Sequence, residues 1–495
     1  MTTIAPGQQS TVSLDVGQAL TLAGAIGAVG VAYRLNQALG GTNSVQSFPV
    51  ANGTSQQLGP YPNREQFLIT CSTGSIAATV GTPVPIPARS GLSIVLFGDS
   101  ITNQNSQFSP TYGATLAKGY FTQAAIMLEQ RFDLVRNSGI SGNTTIDMAA
   151  RIDTDLLALQ PQYCFFLGGT NDVGTDVPYA TTIANYSDMF ARILGAGISL
   201  IIGTITPRGF SGMTQARLMN MMALNTWLQN FSARTPGVIL VDLYRQMLDH
   251  TDLTSTSQGQ PVAAWFDGAL LHPIAAGAVQ MGYAISRQLD GVIQKLPRRL
   301  HCNYNGTNGD STNFIRNGML MQGSGGTLGL NASGTIAQNW TAAAASGAIS
   351  GACSMVARSA SFNDDFPGNV QRVVITASGV ATEIFRLTPT MATPAAGDQV
   401  YMEVEFMASA SVGTINEISL SFGTIGGTVI AAAANSMPSS TESLAIGTKV
   451  YKGVLRTPVM VCQTGIVGLY GSINIRTSAA ATAQIDFANA RLTKV

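Results

Sequence analysis

The sequence predicts an α/β domain built on a parallel sheet, with a β-rich module on either side. Three observations carry this expectation. Between about residues 91 and 297, short apolar runs alternate with amphipathic helical stretches, the pattern of strands joined by helical crossovers. One of those runs, Ser93-Ile94-Val95-Leu96-Phe97, stops abruptly at Gly98-Asp99-Ser100-Ile101. Outside this window the pattern changes to short alternating segments with Gly, Ala, Thr and Pro at the turns.

Residues 1–90 read as a small β module. Ser13-Leu14-Asp15-Val16, Ala19-Leu20-Thr21-Leu22 and Glu65–Cys71 are strand-like, and Gly59-Pro60-Tyr61-Pro62 marks a turn. Pro83, Pro85 and Pro87 then make a linker. In the 91–297 domain, strands are expected at Ile94–Phe97, Leu134–Val135, Tyr163–Leu167, Leu200–Gly203 and Val238–Val241. Helices are expected at Ala114–Phe132, Ile146–Leu159, Thr182–Leu194, Gln215–Phe231 and Ala275–Ile293. Right-handed crossovers leave few topologies for such a chain, and the flavodoxin-like order is the expected one. An Asn/Gly/Thr-rich linker spans 298–315. Residues 316–495 read as a C-terminal β-sandwich of jelly-roll-like type, with alternation in Gln399–Phe406, Glu417–Phe422, Val450–Leu455 and Ala483–Leu492.

Composition narrows the function classes. The 495 residues exceed one hydrophobic core, so several domains are expected. With 26 basic and 26 acidic residues the formal net charge is zero, and the electrostatic footprint of a nucleic-acid binder is missing. Charged residues make up 11% of the chain, well under the roughly 25% of ordinary soluble domains, which is compatible with β-rich extracellular modules. The weakly charged stretch Val16–Tyr33 carries glycines, Gln18 and Thr21. It reads as short strands, not as a membrane span or a secretory signal. Cys71, Cys164, Cys302, Cys353 and Cys462 are far apart and have no zinc-type spacing, so buried free thiols are expected and no metal site.

The chemistry-bearing residues cluster in the central domain. A serine hydroxyl needs a base to take its proton, and that base is most often histidine. Of three histidines, His250 sits at a helix end and His301 in the linker, whereas His272 follows Asp267 and opens the approach to the last helix of the domain. Acyl transfer also needs donors for a developing oxyanion. Gly142, in Asn137-Ser138-Gly139-Ile140-Ser141-Gly142, and Asn171, in Gly168-Gly169-Thr170-Asn171-Asp172, both follow strands and offer a backbone and an amide N–H. Each also has an ordinary turn-forming use. Asp99 and Asp172 are expected to brace their turns. The G-x-S-x-G pattern of α/β-hydrolases is absent.

Taken in order, Ser100, Gly142, Asn171 and His272 resemble the four signature residues of the SGNH (GDSL-type) hydrolase family. The resemblance covers about 200 of the 495 residues. It implies a three-layer α/β/α flavodoxin-like SGNH hydrolase domain that uses no cofactor or metal. Ser100 would be the nucleophile, and its own N–H, Gly142 and Asn171 would form the oxyanion hole. His272 would be the general base. The sequence departs from the family at the acid, usually three residues before the histidine. That position holds Ala269, and the nearest aspartate is Asp267, five residues before, so a two-residue bulge would have to bring it to His272; otherwise the site works as a Ser–His dyad or takes its acid from elsewhere.

The flanking modules resemble the arrangement of bacteriophage tail fibre or tailspike proteins. That implies a serine O-acetylesterase acting on an acetylated bacterial surface polysaccharide, capsule or O-antigen, from the virion tail outside the cell. It also implies a homotrimer whose N-terminal module docks onto other phage tail proteins. Two alternatives stand beside this one: a glycan-binding receptor-binding protein without catalysis, and a secreted bacterial carbohydrate acetylesterase. No carboxylate pair of the kind glycoside hydrolysis needs occupies the sheet edge.

Overall fold

The computed structural model describes residues 2–14, 20–26, 28–35, 44–50, 55–58, 65–80, 92–106, 119–209, 212–251, 259–295, 313–362, 364, 366, 368–378, 383–409, 415–424, 432–434, 450–457, 460–462, 469–477 and 481–494. The proline linker, His301, Cys302 and most of the 298–315 linker lie outside these residues. The chain divides into two compact units: residues 1–102, 132–206 and 210–245 form the first, and 103–131, 207–209 and 246–495 the second.

The first unit opens with two four-stranded antiparallel sheets. One runs Thr2–Ile4, Ile76–Val80, Leu20–Gly24, Ser55–Leu58, and the other Gln9–Leu14, Glu65–Thr73, Val29–Leu35, Ser44–Val50. Alternation places Leu20, Leu22, Phe67, Ile69 and Ile76 in one core. The Val16–Tyr33 stretch thus contributes two strands. Among the described residues no helix is long and apolar enough to cross a membrane.

The rest of the first unit is built on a five-stranded parallel sheet. In chain order its strands are Leu92–Gly98, Phe132–Gly139, Tyr163–Leu167, Ser199–Gly203 and Ile239–Val241. In space the second strand lies at one edge and the first beside it, followed by the third, fourth and fifth. This is the flavodoxin-like order, whose switch point lies between the first and third strands. Ile94 to Phe97 are wholly buried, as a continuous apolar run in a strand covered on both faces should be. Three helices, Thr145–Asp155, Tyr179–Gly195 and Gln215–Arg234, lay Met148, Ile152, Tyr186, Phe190, Leu224 and Leu228 on Val95, Phe97, Phe166 and Ile202.

The second unit holds the C-terminal strands. A six-stranded and a seven-stranded sheet share one core, with Phe385, Leu387, Ile418 and Ile473 from the first and Val373, Ile375, Val404 and Ile485 from the second. Ile126, Ala275 and Val279 belong to the same core. They come from the helices Tyr120–Met127 and Ala275–Leu289, which pack on each other at Gly282, where a Cβ would meet the Gln123 side chain at 2.7 Å. The Tyr120–Met127 helix also abuts the strand Tyr451–Arg456. Any Cβ on Gly453 would sit 2.0 Å from the Ile126 carbonyl oxygen, and the Tyr451 hydroxyl donates to Gln123 Oε1 at 2.7 Å.

One expected helix is corrected. Residues 107–118 lie outside the described ones, and among the described residues of Ala114–Phe132 the helix spans Tyr120–Met127. Glu129 and Gln130 take positive φ of 56° and 57°, which ends the helix, and Phe132 already begins the edge strand of the parallel sheet.

Candidate active site

Ser100, Gly142 and Asn171 belong to the first unit, and each follows the carboxyl end of a parallel strand. Ser100 begins a one-turn helix, Ser100–Asn103, just after Leu92–Gly98. Gly142 lies in the turn after Phe132–Gly139 with φ of 82°, and an added Cβ would meet nothing within 4 Å, so its backbone faces open space. Asn171 follows Tyr163–Leu167 in the short helix Thr170–Gly174. The helix starts at Gly169, whose φ of 113° and close approach to the Tyr186 hydroxyl exclude a side chain. Ser100 and Asn171 therefore flank the topological switch point, where ligands bind in open α/β sheets.

Each turn is tied down by hydrogen bonds. Asn137 donates its amide to the Thr102 carbonyl at 3.0 Å and accepts the Gly139 N–H at 3.0 Å. Asn171 donates Nδ2 to the Asn143 carbonyl at 2.9 Å. That bond fixes the amide plane with one N–H and leaves a second N–H for an oxyanion. The Asp172 carboxylate is buried and accepts from the Thr145 N–H at 2.9 Å, the Thr145 hydroxyl at 2.5 Å and the Thr182 hydroxyl at 3.1 Å. It joins the turn after the third strand to the start of the helix that follows Gly142, a favourable place for an anion.

Asp99, also buried, accepts the Ile101 N–H at 2.9 Å through Oδ1, while its Oδ2 meets no partner among the described residues. Burial pushes its carboxyl up to about 7, helped by the charge of Asp172 and opposed by the Ile101 N–H and Arg151. In the unfolded chain Asp99 ionises near 4. Its contribution to stability is therefore full below that value and declines as pH rises towards 7, because the folded state then holds the extra proton. Asp99→Asn keeps the acceptor and carries no titrating proton. Its melting temperature relative to wild type is expected to rise between pH 5 and pH 8 in thermal unfolding scans; an unchanged difference would mean that Asp99 is already charged at pH 5.

Asp267 and His272 belong to the second unit, and the structure brings them together. Phe266 and Pro273 pair as an antiparallel bridge, and the Asp267 N–H donates to the His272 carbonyl at 2.8 Å. Between them the chain turns: the Leu270 N–H donates to the Asp267 carbonyl at 2.8 Å, and Leu270 adopts a left-handed φ of 53°. This tight hairpin, in place of the bulge the sequence suggested, sets Asp267 Oδ2 3.2 Å from His272 Nδ1 despite the five-residue separation. Asp267 Oδ1 accepts the N–H groups of Leu271 at 3.0 Å and His272 at 3.3 Å. Partial burial opposes ionisation, yet these two N–H groups and the histidine ring hold the Asp267 carboxyl below the usual carboxylate range. An aspartate on Nδ1 directs the Nδ1–H tautomer and makes Nε2 the basic nitrogen.

Sequence reasoning missed Arg151 and Asn143. The Arg151 side chain is 13% exposed and lies under the turns after the first two strands. A usable signal was present: Met148, Arg151, Ile152 and Asp155 follow the i, i+3, i+4, i+7 spacing of an inward helix face, so a cation was set among core positions. The described cysteines, Cys71, Cys164, Cys353 and Cys462, are buried free thiols, and burial raises the thiol pKa at Cys164 and Cys353. Among the described residues no group of three or more His, Cys, Asp or Glu side chains is placed to hold a metal ion.

A serine turn beside two N–H donors on a flavodoxin-like sheet, together with an Asp–His pair, is the equipment of a serine acyl hydrolase. Residues 96–279 match the profile of the GDSL-like Lipase/Acylhydrolase family. Among characterised proteins, an acetylxylan esterase of Geobacillus stearothermophilus is 32% identical over 114 residues, which are 21% of this chain and 52% of that protein. The chain thus spans about half the length of the relative it matches. Similar solved structures include a lipase/acylhydrolase from Enterococcus faecalis, at 21% identity over 42% of this chain and 99% of that one, with a TM-score of 0.33. Another is a variant acetyl-xylooligosaccharide esterase from Geobacillus, at 21% identity over 43% of this chain and all of that one, with a TM-score of 0.34.

Proposed function

We propose that this protein is a serine esterase that removes O-acetyl groups from a bacterial surface polysaccharide. The observation that carries the esterase reading is the Asp267–His272 pair, held at 3.2 Å by a hairpin within a segment that also supplies Ser100, Gly142 and Asn171 after consecutive strands. Ser100 Oγ attacks the acetyl carbonyl as His272 Nε2 takes its proton. The N–H groups of Ser100 and Gly142 and the Asn171 amide hold the oxyanion. As the C–O bond to the sugar breaks, the imidazolium, supported by Asp267, gives its proton to the departing sugar oxygen, which leaves as a free hydroxyl, and an acetyl-serine remains. Water, deprotonated by His272, releases acetate and restores Ser100. Asn171→Ala is expected to lower kcat for a small acetyl ester by about 10²–10³-fold with little change in KM. Unchanged kcat would remove Asn171 from the oxyanion hole.

The polysaccharide and its setting are supported by the flanking β modules and by the name of the acetylxylan esterase relative. In this reading the chain is a homotrimeric tail fibre or tailspike component of a virion, acting outside the cell and docking to other phage tail proteins through its N-terminal module. That relative also favours a second reading, a secreted carbohydrate acetylesterase acting on plant polysaccharide as a monomer. The test is acetate release from 4-nitrophenyl acetate, acetylated bacterial capsule and acetylated xylan. Mass spectrometry of the Ser100 peptide after diethyl 4-nitrophenyl phosphate treatment reads the nucleophile. Acetate from capsule and a trimeric mass by light scattering support the first reading; acetate from xylan and a monomer support the second. Glycan binding without acetate release or labelling of Ser100 would make the protein a non-catalytic receptor-binding protein.

A further inference from the structure

We propose that Arg151 is a positioning residue that fastens the nucleophile turn to both oxyanion donors, an inference that rests on the esterase reading. Its planar guanidinium reaches three acceptors at the ends of the first and second strands and the turn that follows the second. Nη2 donates to the Gly98 carbonyl at 2.8 Å, two residues before Ser100. Nη1 donates to the Ser138 carbonyl at 2.9 Å, at the end of the strand that leads to Gly142. Nε donates to the Asn143 side-chain oxygen at 2.7 Å, and Asn143 directly follows Gly142. The backbone carbonyl of that same Asn143 holds the Asn171 amide at 2.9 Å. One cation thereby connects, directly or through Asn143, every residue assigned to the nucleophile and the oxyanion hole.

The guanidinium is itself held in place. Nη1 also donates to Asp155 Oδ2 at 3.0 Å, one helical turn along, and the guanidinium carbon lies 4.6 Å from the centroid of the Phe97 ring. These contacts fix the fork's plane so that its remaining N–H groups point at the strand ends. A lysine keeps the charge but carries its three N–H groups on one flexible nitrogen and cannot span the acceptors that the planar fork reaches. The chemistry is sensitive to such losses, since a misplacement of about 1 Å can cost about 10²-fold in rate.

The experiment combines kinetics with hydrogen exchange on the full-length protein. Arg151→Lys is expected to lower kcat about 10–100-fold with KM within about twofold. The loss should shrink in an Asn171→Ala background, where the donor being positioned is gone. Amide exchange over residues 139–144 should rise. Arg136, whose exposed side chain pairs with the same Asp155 at 3.3 Å, is the control, and Arg136→Gln should leave kcat unchanged. If Arg151→Lys folds poorly, Asn143→Ala cuts one link alone, and a smaller fall in kcat is expected. Unchanged kcat and exchange in both variants, or equal losses with and without Asn171, would overturn the proposal. A wild-type protein with no Ser100-dependent turnover would instead sink the esterase reading; exchange at residues 139–144 would still decide whether Arg151 fastens the turns.

Discussion

Ser100→Ala is expected to lower kcat for 4-nitrophenyl acetate by about 10⁴-fold or more, the scale on which serine hydrolases lose activity when the attacking oxygen is removed. The substitution deletes that oxygen and little else. The turn keeps its shape because it is held by backbone and neighbouring groups: Asp99 on the Ile101 N–H, Asn137 on the Thr102 carbonyl, and Arg151 on the Gly98 carbonyl. Thermal unfolding should therefore change little while turnover collapses. Residual hydrolysis that still exceeds the uncatalysed rate, by about 10³–10⁴-fold, fits a site that keeps its oxyanion donors without a nucleophile. Turnover within tenfold of wild type would place the nucleophile elsewhere and remove Ser100 from the mechanism.

His272→Ala is expected to cost about 10³–10⁴-fold in kcat, because the serine hydroxyl is then left without a base. Asp267→Asn tests the same unit from behind. The N–H groups of Leu271 and His272 keep the Asp267 carboxylate ionised against partial burial, and its folded-state value lies below that of the unfolded chain. Its stabilising pairing is therefore present above about pH 4 and fades only as pH falls through the depressed value. Asp267→Asn consequently removes a charge that is present throughout the working range. The fractional loss of kcat should be the same at pH 6 and pH 9. A loss confined to one end of that range would show that another carboxylate orients the ring.

What the sequence made legible was the frame. Ile94–Phe97 reads as a doubly covered strand because it is apolar at every position, and the structure buries it fully. The alternation of strand and helix was enough to expect the order in which Ser100 and Asn171 meet at the switch point. What stayed hidden has two physical causes. Turns are read from glycine and asparagine, yet Leu270, Glu129 and Gln130 adopt left-handed φ with ordinary side chains. Leu270 is what folds five residues tightly enough for Asp267 to reach His272, and no residue preference announced it. Glu129 and Gln130 end a helix that periodicity alone would have continued. Helix periodicity also shows that an apolar face exists without showing what covers it, so the packing of Tyr120–Met127 and Ala275–Leu289 on the C-terminal sheets could not be read in advance.

That packing bears on how such a chain can be cut and recombined. The helix Ala275–Leu289 begins three residues after His272 and buries eleven of its fifteen residues, with Ala275 and Val279 in the same core as the C-terminal strands. A break near residue 297, the natural place to excise an esterase module by sequence, would strip Ile126, Ala275 and Val279 of their apolar cover and loosen the support behind the histidine. The helix that follows His272 and the C-terminal strands therefore share one core, and a cut between them is expected to destabilise both. The N-terminal sheets, by contrast, carry a hydrophobic core of their own, so a cut on that side is expected to disturb the rest of the chain less.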